Sequence, residues 1–226
     1  MAVTNAHDFK EITVHGHIQT VVANPAGLGL FGLAVVTLVA SSVKLGITTG
    51  TTWVIPWAIF LGAMAQMFAG IYDFKHNNTF GATAFFAYGM FWFGMALSWA
   101  AQNGVFGAKT AESIDLHQMG FAFLAYFIFT VYMTVGAMGT NKNLFIIFFL
   151  IDTLFLGLFM NNLFGGEFWH LLAAWSELGI SIFAFYGSAA AVLNTHYNQI
   201  VLPVGAPFGP WVTPPAATSK GKAVKA

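Results

Sequence analysis

The chain contains no cysteine and no arginine, and only 7% of its 226 residues are charged. Without cysteine there is no disulfide, no thiolate metal site and no covalently attached haem. The eight lysines balance the eight acidic residues, so a net charge of zero gives no support for a nucleic-acid partner. What remains is 58% hydrophobic, far from the usual balance of a soluble domain. The composition therefore indicates a membrane protein.

Six apolar stretches are long enough to cross a bilayer, which takes about 20 helical residues each. They cover residues 25–43, 53–72, 81–101, 116–138, 144–164 and 168–194. We therefore expect an all-α membrane protein with a six-helix domain over 23–205, located in the cell membrane (the inner membrane if the source is bacterial). A leader at 1–22 that can be amphipathic and a flexible tail at 206–226 complete the predicted organisation.

The placement of the eight lysines predicts the orientation, because lysine accumulates in cytoplasmic loops. Six of them lie in the two tails and in the loops after the second and fourth spans, whereas Lys44 and Lys109 lie on the other side. We expect both termini in the cytoplasm. The start of the chain also lacks the basic, apolar and small-residue regions of a cleavable signal, so we expect no secretion.

The string NPAGLGL at residues 24–30 marks the start of the first span. Asn24 can cap a helix and Pro25 suits the first helical position. Gly27 and Gly29 allow another backbone to approach closely. This string therefore predicts a helix start with a small-residue face.

A second string, HNNTFGATAFFAYGMFWF at 76–93, repeats this arrangement before the third span. With AQMFAGIYDFK at 65–75 and VLPVG at 201–205, the two strings resemble the acetate uptake transporter family of GPR1/FUN34/YaaH type, whose members carry acetate and succinate. The resemblance spans roughly residues 22–205. It implies a homohexamer with a solute path through each protomer.

The resemblance also implies a hydrophobic constriction, whose positions here are Leu33, Tyr88 and Ile151. Tyr88 matches the family residue within FFAYG, and its hydroxyl can donate to a passing carboxylate. Leu33 stands where an aromatic residue is commoner in the family, so we hypothesise a wider gate that admits larger acids. Ile151 replaces a leucine of similar size, and Gly27 replaces a proline at the helix start.

Five residues are candidates for binding the solute: Asn24, Pro25, Gln66, Thr83 and Asn162. Asn24 and Pro25 start a helix, and free backbone donors at a helix start can replace the water around a carboxylate. They can equally serve only to begin the helix. The three polar side chains within spans can bond a carboxylate, or can bond a carbonyl of a neighbouring helix.

Two acidic residues, Asp152 and Glu177, fall inside predicted spans. They lie about 20 Å and about 15 Å from the connection at 165–167, on consecutive antiparallel helices, so their depths nearly match. We expect them to be close enough to share a proton. They are candidates for proton coupling, and the alternative is a protonated pair that only holds helices together.

The remaining charged and histidine residues favour local roles. Asp73 and Lys75 suggest an ion pair that orients a loop. His117 and His170 lie near helix starts and read as interfacial histidines, because neither has a second metal ligand at helical spacing. We expect no metal and no cofactor.

The function that these features favour is transport of acetate and related short carboxylates, with succinate as a larger candidate and protons as a candidate co-substrate. The alternative is a passive channel for a small neutral solute such as urea, an amide or ammonia. An aquaporin is disfavoured because NPA occurs once and arginine is lacking. We expect no enzyme, since HExxH, partnered nucleophiles and metal-spaced histidines are missing.

Overall fold

The structure, a computed structural model, describes residues 22–212, which form an all-helical bundle. Six helices are long and apolar enough to cross a membrane: α1 (Ala26–Lys44), α2 (Val54–Lys75), α3 (Thr79–Gln102), α4 (Leu116–Ala137), α5 (Lys142–Phe164) and α6 (Glu167–Tyr197). A short helix, Ala108–Glu112, precedes α4. The predicted all-α fold with six transmembrane helices is confirmed.

The predicted terminal segments fall largely outside the described residues. Almost all of the leader at 1–22 and residues 213–226 of the tail lie outside them. Within 206–212, the backbone N–H of Phe208 donates to the Met138 carbonyl at 2.9 Å, and the Phe208 ring meets Phe145 with 4.9 Å between centroids. The domain boundaries of the chain stay a prediction.

Each helix packs against particular neighbours, and these contacts form a continuous series. Helix α1 contacts α2 and α6, α2 contacts α3, α6 contacts α5, and α5 contacts α4. Because the number of spans is even, α1 begins and α6 ends on the same side of the bundle, which we call the terminal side. The opposite side, where α1 ends at Lys44, is called the Lys44 side. Which of them faces the cytoplasm stays a prediction from the lysine positions.

Asparagine caps begin three helices on the terminal side. Asn24, Asn78 and Asn141 precede α1, α3 and α5, and each side-chain oxygen accepts a backbone N–H of the first turn, at 2.9, 3.0 and 2.8 Å. Such caps satisfy one of the free N–H groups of a helix start and leave the others unpaired within the helix. Three helix starts are thereby fixed on the same side.

Helix α2 contains a π-helical segment, Ala58–Ala65, that the sequence did not predict. In a π-helix each N–H bonds the carbonyl five residues earlier rather than four, so a carbonyl near the end of the segment can lose the donor that an α-helix would give it. The side-chain Nε2 of Gln66 donates to Gly62 instead, at 2.8 Å. Gln66 therefore repairs the irregular turn that it follows.

Small residues bring helix backbones together where α1, which begins with the predicted small-residue face, meets α6. Between α1 and α6, the hydroxyls of Ser181 and Ser188 donate to the carbonyls of Ala34 and Gly27 at 2.8 and 2.7 Å. Such bonds are possible because small residues allow close approach in a membrane interior. Gly94 on α3 is exposed and has open space where a side chain would project.

We expect Gly32→Ala to destabilise the bundle by about 1–3 kcal/mol, the usual cost of overpacking. The added methyl group would clash with the backbone oxygen of Leu61 on α2, and a backbone atom cannot rotate away as a side chain can. Thermal unfolding in detergent measures the effect. Gly94→Ala is the matched control, since its methyl group would meet open space. Equal unfolding temperatures for the two variants would contradict this account of the α1–α2 contact.

Candidate functional site

A cavity of about 400 Å³, the terminal mouth, opens on the terminal side of the bundle. Its lining includes the three capping residues Asn24, Asn78 and Asn141, together with Asp73 and Asn194. The starts of α1, α3 and α5 therefore surround one cavity. Since each helix start carries a partial positive charge, the mouth combines three such ends with the carboxylate of Asp73.

A much smaller cavity of about 50 Å³, the neck, adjoins the terminal mouth and shares lining residues with it. Leu33, Tyr88 and Ile151, the three predicted constriction residues, all line the neck and are buried, with Gln66 and Ala84 beside them. The other lining residues are apolar. A water molecule needs roughly 10–15 Å³ of such space, so the neck holds only a few. It is a narrow and largely apolar passage.

The hydroxyl of Tyr88 is engaged within the protein. It lies 2.8 Å from Oγ1 of Thr130, and that Thr130 hydroxyl donates to the Tyr126 carbonyl at 2.7 Å. Because a threonine hydroxyl has one proton, Tyr88 must be the donor to Thr130. The expected donation from Tyr88 to a carboxylate therefore requires this bond to break, and the buried oxygen of Tyr88 otherwise only accepts.

A third cavity of about 160 Å³, the Lys44 mouth, lies toward the Lys44 side. A row of packed aromatic rings lies between this cavity and the neck. Tyr88 stacks on Phe155 with 6.4 Å between ring centroids, and Phe155 meets Phe91 edge-on with 5.1 Å between centroids. Phe91 lines the Lys44 mouth, and Phe155 is almost fully buried. These rings separate the neck from the Lys44 mouth.

The same faces of two helices line the neck and the Lys44 mouth in succession. On α3, the neck residues are followed at helical spacing by residues of the Lys44 mouth: Gly81, Ala84, Phe85 and Tyr88, then Phe91, Trp92, Met95 and Trp99. On α5, the order is Ile147, Phe148 and Ile151, then Leu154, Leu158 and Asn162. Because residues three and four apart share a helix face, the three cavities lie in line through the bundle.

The predicted solute-binding residues are distributed along these cavities. Asn24 lines the terminal mouth, and Pro25 is the N-cap residue of α1, one position before the first helical position predicted for it. Gln66 lines the neck with its Nε2 already bonded to Gly62. The carboxamide oxygen of Asn24, which precedes the N-cap residue Pro25, is occupied by the backbone N–H of Ala26.

The other two candidates differ in their placement. Asn162 lines the Lys44 mouth, where its Nδ2 donates to the Leu158 carbonyl one turn earlier at 2.8 Å. Thr83 is half-buried and, in the described part of the chain, lies outside the linings of the three cavities. Ala84 and Tyr88 lie on the face of α3 that lines the neck, and Thr83 lies one residue off that face, so its role in binding the solute stays a prediction.

The structure does not pair Asp152 with Glu177. The Oε2 of Glu177 lies 2.8 Å from Nζ of Lys44, whereas Oδ2 of Asp152 accepts a hydrogen bond from Thr134 at 2.6 Å. Equal depth does not determine which way a helical side chain points, and Asp152 faces α4 while Glu177 faces α1. The expected shared-proton pair is therefore corrected to two separate carboxylates. Among the described residues, Oδ1 of Asp152 is a buried oxygen without a hydrogen-bond partner.

The expected Asp73–Lys75 ion pair does not form. Asp73 is buried and lines the terminal mouth, while Nζ of Lys75 lies 5.0 Å from the centroid of the Tyr72 ring. His76 next to them is bonded through Nε2 to the Ala23 carbonyl at 3.1 Å, just before α1. Sequence reasoning missed Asp73 as a cavity residue because the adjacent lysine suggested a simpler partner.

Asp115 and His117 form a local pair at the start of α4. Oδ1 of Asp115 accepts the backbone N–H of His117 and also faces its Nδ1, both at 2.9 Å. These bonds, the backbone one first, hold the pKa of Asp115 below its ordinary value of 3.8. Asp115 therefore stays ionised near neutral pH and caps the helix.

Comparisons with known proteins identify relatives of the chain. A sequence model of the GPR1/FUN34/yaaH family matches residues 10–207. The succinate-acetate/proton symporter SatP of Escherichia coli (strain K12) is 32% identical over 188 residues, which cover 83% of this chain and 97% of that protein. Ammonia transport outward protein 2 of Saccharomyces cerevisiae is 34% identical over 185 residues, covering 80% and 64% of the two chains.

A solved structure of the bacterial acetate channel SatP has the same fold. It superposes with a TM-score of 0.76 at 30% sequence identity, and the match covers 82% of this chain and 100% of that one. The relatives and the structural neighbour are transporters or channels, which confirms the predicted membrane location and the prediction that the chain is not an enzyme.

Proposed function

Because the chain belongs to the GPR1/FUN34/yaaH family, we propose that it carries acetate and related short carboxylates, including succinate, through a path within each protomer. The observation that carries the proposal is the alignment of two mouths on either side of a neck bounded by Leu33, Tyr88 and Ile151. The choice of solute is supported by the bacterial relative, a succinate-acetate/proton symporter, and by the structural neighbour, an acetate channel.

The chemistry of a carboxylate explains why such a path is useful. With a reference pKa of roughly 4, a short carboxylic acid is almost wholly ionised near neutral pH, and the anion is too strongly hydrated to cross lipid quickly. Helix starts at the terminal mouth supply partial positive charge and N–H groups in place of water. The neck is narrow and has room for only a few water molecules. A solute can therefore pass only if it is small and leaves most of its hydration water behind.

We propose that the protein assembles as a homohexamer, as the family resemblance implies. The outer surface of the protomer supports an assembly, because α4 leaves large apolar side chains exposed, among them Phe121, Ile128 and Tyr132. Lipid or a neighbouring subunit must cover such a surface.

The function is tested by uptake of labelled acetate into liposomes that contain the purified protein. We expect saturable uptake well above that of empty liposomes, and competition by succinate. Repeating the assay with and without a pH gradient tests proton coupling in the same preparation. Uptake equal to that of empty liposomes under every condition would refute the proposed function.

Asp152 and Glu177 remain our candidates for proton binding. A buried carboxylate oxygen without a hydrogen-bond partner is costly, and binding a proton at Oδ1 of Asp152 would remove that cost. At Glu177 a bound proton would cancel the charge that now pairs with Lys44. Each carboxylate therefore has its own structural reason to exchange a proton, although they act at separate places.

We expect Glu177→Gln or Asp152→Asn to abolish the stimulation of acetate uptake by an inward-directed proton gradient. Initial rates measured from pH 5 to pH 7 would show it as a flattened pH profile. Asp115→Asn is the control, because Asp115 does not titrate between pH 5 and pH 7. The pKa of Asp115 is lowered from 3.8, so the cap that its carboxylate gives α4 is present above pH 3.8 and is lost only as the pH falls through the lower folded-state pKa. Full proton stimulation in both the Glu177→Gln and the Asp152→Asn variant would exclude both residues.

We expect Leu33→Phe to lower succinate uptake more than acetate uptake. Leu33 lines a neck of about 50 Å³, and a phenyl ring there would narrow it for the longer acid first. The ratio of the two initial rates in one liposome preparation measures the effect. An unchanged ratio would show that residue 33 does not set the size limit.

A second candidate function is conduction of a small neutral solute. It is favoured by the similarity to ammonia transport outward protein 2 and by the apolar lining of the neck. Stopped-flow measurement of ammonia entering the same liposomes would distinguish the two. Rapid ammonia flux without acetate uptake would make this second function the correct one.

A further inference from the structure

The Lys44 mouth holds a buried ion pair, and the cation of that pair has no role in the proposed function so far. Nζ of Lys44, at the end of α1, lies 2.8 Å from Oε2 of Glu177, about three turns into α6. Within the described lining of this cavity these are the two charged residues, and the rest is mainly apolar and aromatic. Charges in such surroundings attract a counter-ion more strongly than they would in water.

The two partners differ in their access to the cavity. The Lys44 side chain is 19% exposed, whereas that of Glu177 is 3% exposed. The carboxylate of Glu177 thus lies deeper, and the ammonium group is the charge that an arriving solute meets first. A solute anion would meet a cation without first meeting the carboxylate.

The ammonium group also retains hydrogen-bonding capacity. A lysine ammonium has three N–H donors, and within residues 22–212 Glu177 is the one side-chain acceptor that Lys44 contacts. Two donors therefore remain for a second oxygen ligand. A solute carboxylate has two oxygens and can take up such donors.

A hydrogen bond from the neighbouring helix α6 fixes the backbone of Lys44. Nε2 of His170 on α6 lies 2.8 Å from the Lys44 carbonyl, and because a carbonyl only accepts, this nitrogen carries the hydrogen. The bond joins the end of α1 to the start of α6, so the base of the Lys44 side chain is held while its flexible stem can turn between Glu177 and the cavity.

We propose that the Lys44 mouth is a carboxylate-binding site in which Lys44 is the cation, and that a passing solute carboxylate takes the place of Glu177 on its ammonium group. The proposal rests on the proposed function and names the residue that selects anions on the Lys44 side. Glu177 is then the resident counter-ion, which holds Lys44 in position when no solute is bound.

Acetate uptake by a set of variants in liposomes tests the site, with acetamide as a neutral solute of similar shape. We expect Lys44→Gln to raise the KM for acetate about tenfold or more, the effect of losing one hydrogen bond to a charged group, and to leave acetamide flux unchanged. Lys44→Arg should keep a KM near that of the wild type. Glu177→Gln should lower the KM, because it frees the ammonium group for the solute.

Lys109→Gln is the matched control, since Lys109 is an exposed lysine on the same side of the bundle. The variant Lys44→Gln with Glu177→Gln removes both charges, so it leaves no buried charge unpaired and carries the test if Lys44→Gln alone does not fold. We expect this double variant to fold and to keep the raised KM for acetate.

A purely structural ion pair would behave in the opposite way. Measured without a proton gradient, Glu177→Gln would then raise the KM for acetate, and the double variant would recover the wild-type KM; either result would overturn the proposal. If the wild type carries acetate and every variant shares its KM, the Lys44 site is wrong while the proposed function stands. If the wild type carries no acetate, the proposed function itself fails.

Discussion

Acetate uptake by an Ala84→Leu variant is expected to fall to the level of empty liposomes. Ala84 is buried on α3 and lines the neck, whose volume is about 50 Å³. Three additional carbon atoms projecting into so small a space would fill it. Because the neck connects with the terminal mouth and is separated from the Lys44 mouth only by aromatic rings, closing it closes the proposed path.

The control for this block is Gly94→Leu on the same helix. A side chain at Gly94 projects into open space, so the variant adds bulk to α3 outside the neck. Both variants should elute as the same species in size-exclusion chromatography. Wild-type uptake by a folded Ala84→Leu protein would show that acetate does not use the neck.

Tyr88→Ala is expected to have the second large effect, an increase in succinate flux together with a loss of stability. The Tyr88 ring packs against Phe129, Phe148 and Phe155, with centroids 5.5, 6.0 and 6.4 Å away. Removing a buried ring of this kind costs about 3–5 kcal/mol. The same change enlarges the neck, so the longer acid should gain more than acetate.

Tyr88→Phe separates the contribution of the ring from that of the hydroxyl. The hydroxyl donates to Thr130, which keeps its own bond to Tyr126 when Tyr88 loses the oxygen. We therefore expect Tyr88→Phe to retain most of the acetate uptake. A loss as large as that of Ala84→Leu would mean that the hydroxyl does bind the passing carboxylate, and thermal unfolding with initial rates for both acids would show which account holds.

The helical architecture was predictable because the bilayer leaves few alternatives. About 20 predominantly apolar residues are required for each span, and the six predicted stretches correspond to α1–α6. Asn24 and the HNN string also indicated helix starts correctly, since a cap depends on local sequence. The placement of Leu33, Tyr88 and Ile151 around one cavity agrees with the family resemblance, and their role in selectivity stays a prediction.

The direction in which polar side chains point was less predictable. Asp152 and Glu177 have similar depths, but depth along a helix does not fix rotation about its axis. Asp152 bonds Thr134 on α4, and Glu177 bonds Lys44, which is 133 residues away in sequence. A pairing over such a distance depends on how α1 packs against α6, and hydropathy contains no information on it.

The backbone irregularity of α2 was also hidden from the sequence. The π-helical segment Ala58–Ala65 has an ordinary apolar composition, and its extra residue is stabilised by the bond from Gln66 to Gly62. Gln66 was expected to bind either the solute or a helix carbonyl, and in this structure its amide nitrogen binds a helix carbonyl.

Thr83 was chosen only for its polarity and depth, and one residue of helical rotation separates it from the neck lining at Ala84.

The most direct test of the central claim uses the complete lack of cysteine in the chain, which makes every introduced thiol unique. Ala84→Cys places a thiol in the neck, and Thr83→Cys places one beside it outside the lining. A small anionic thiosulfonate reagent should stop acetate uptake by the Ala84→Cys protein and spare the Thr83→Cys protein, and acetate should slow the modification at residue 84. Undiminished uptake by a fully modified Ala84→Cys protein would contradict passage through the neck.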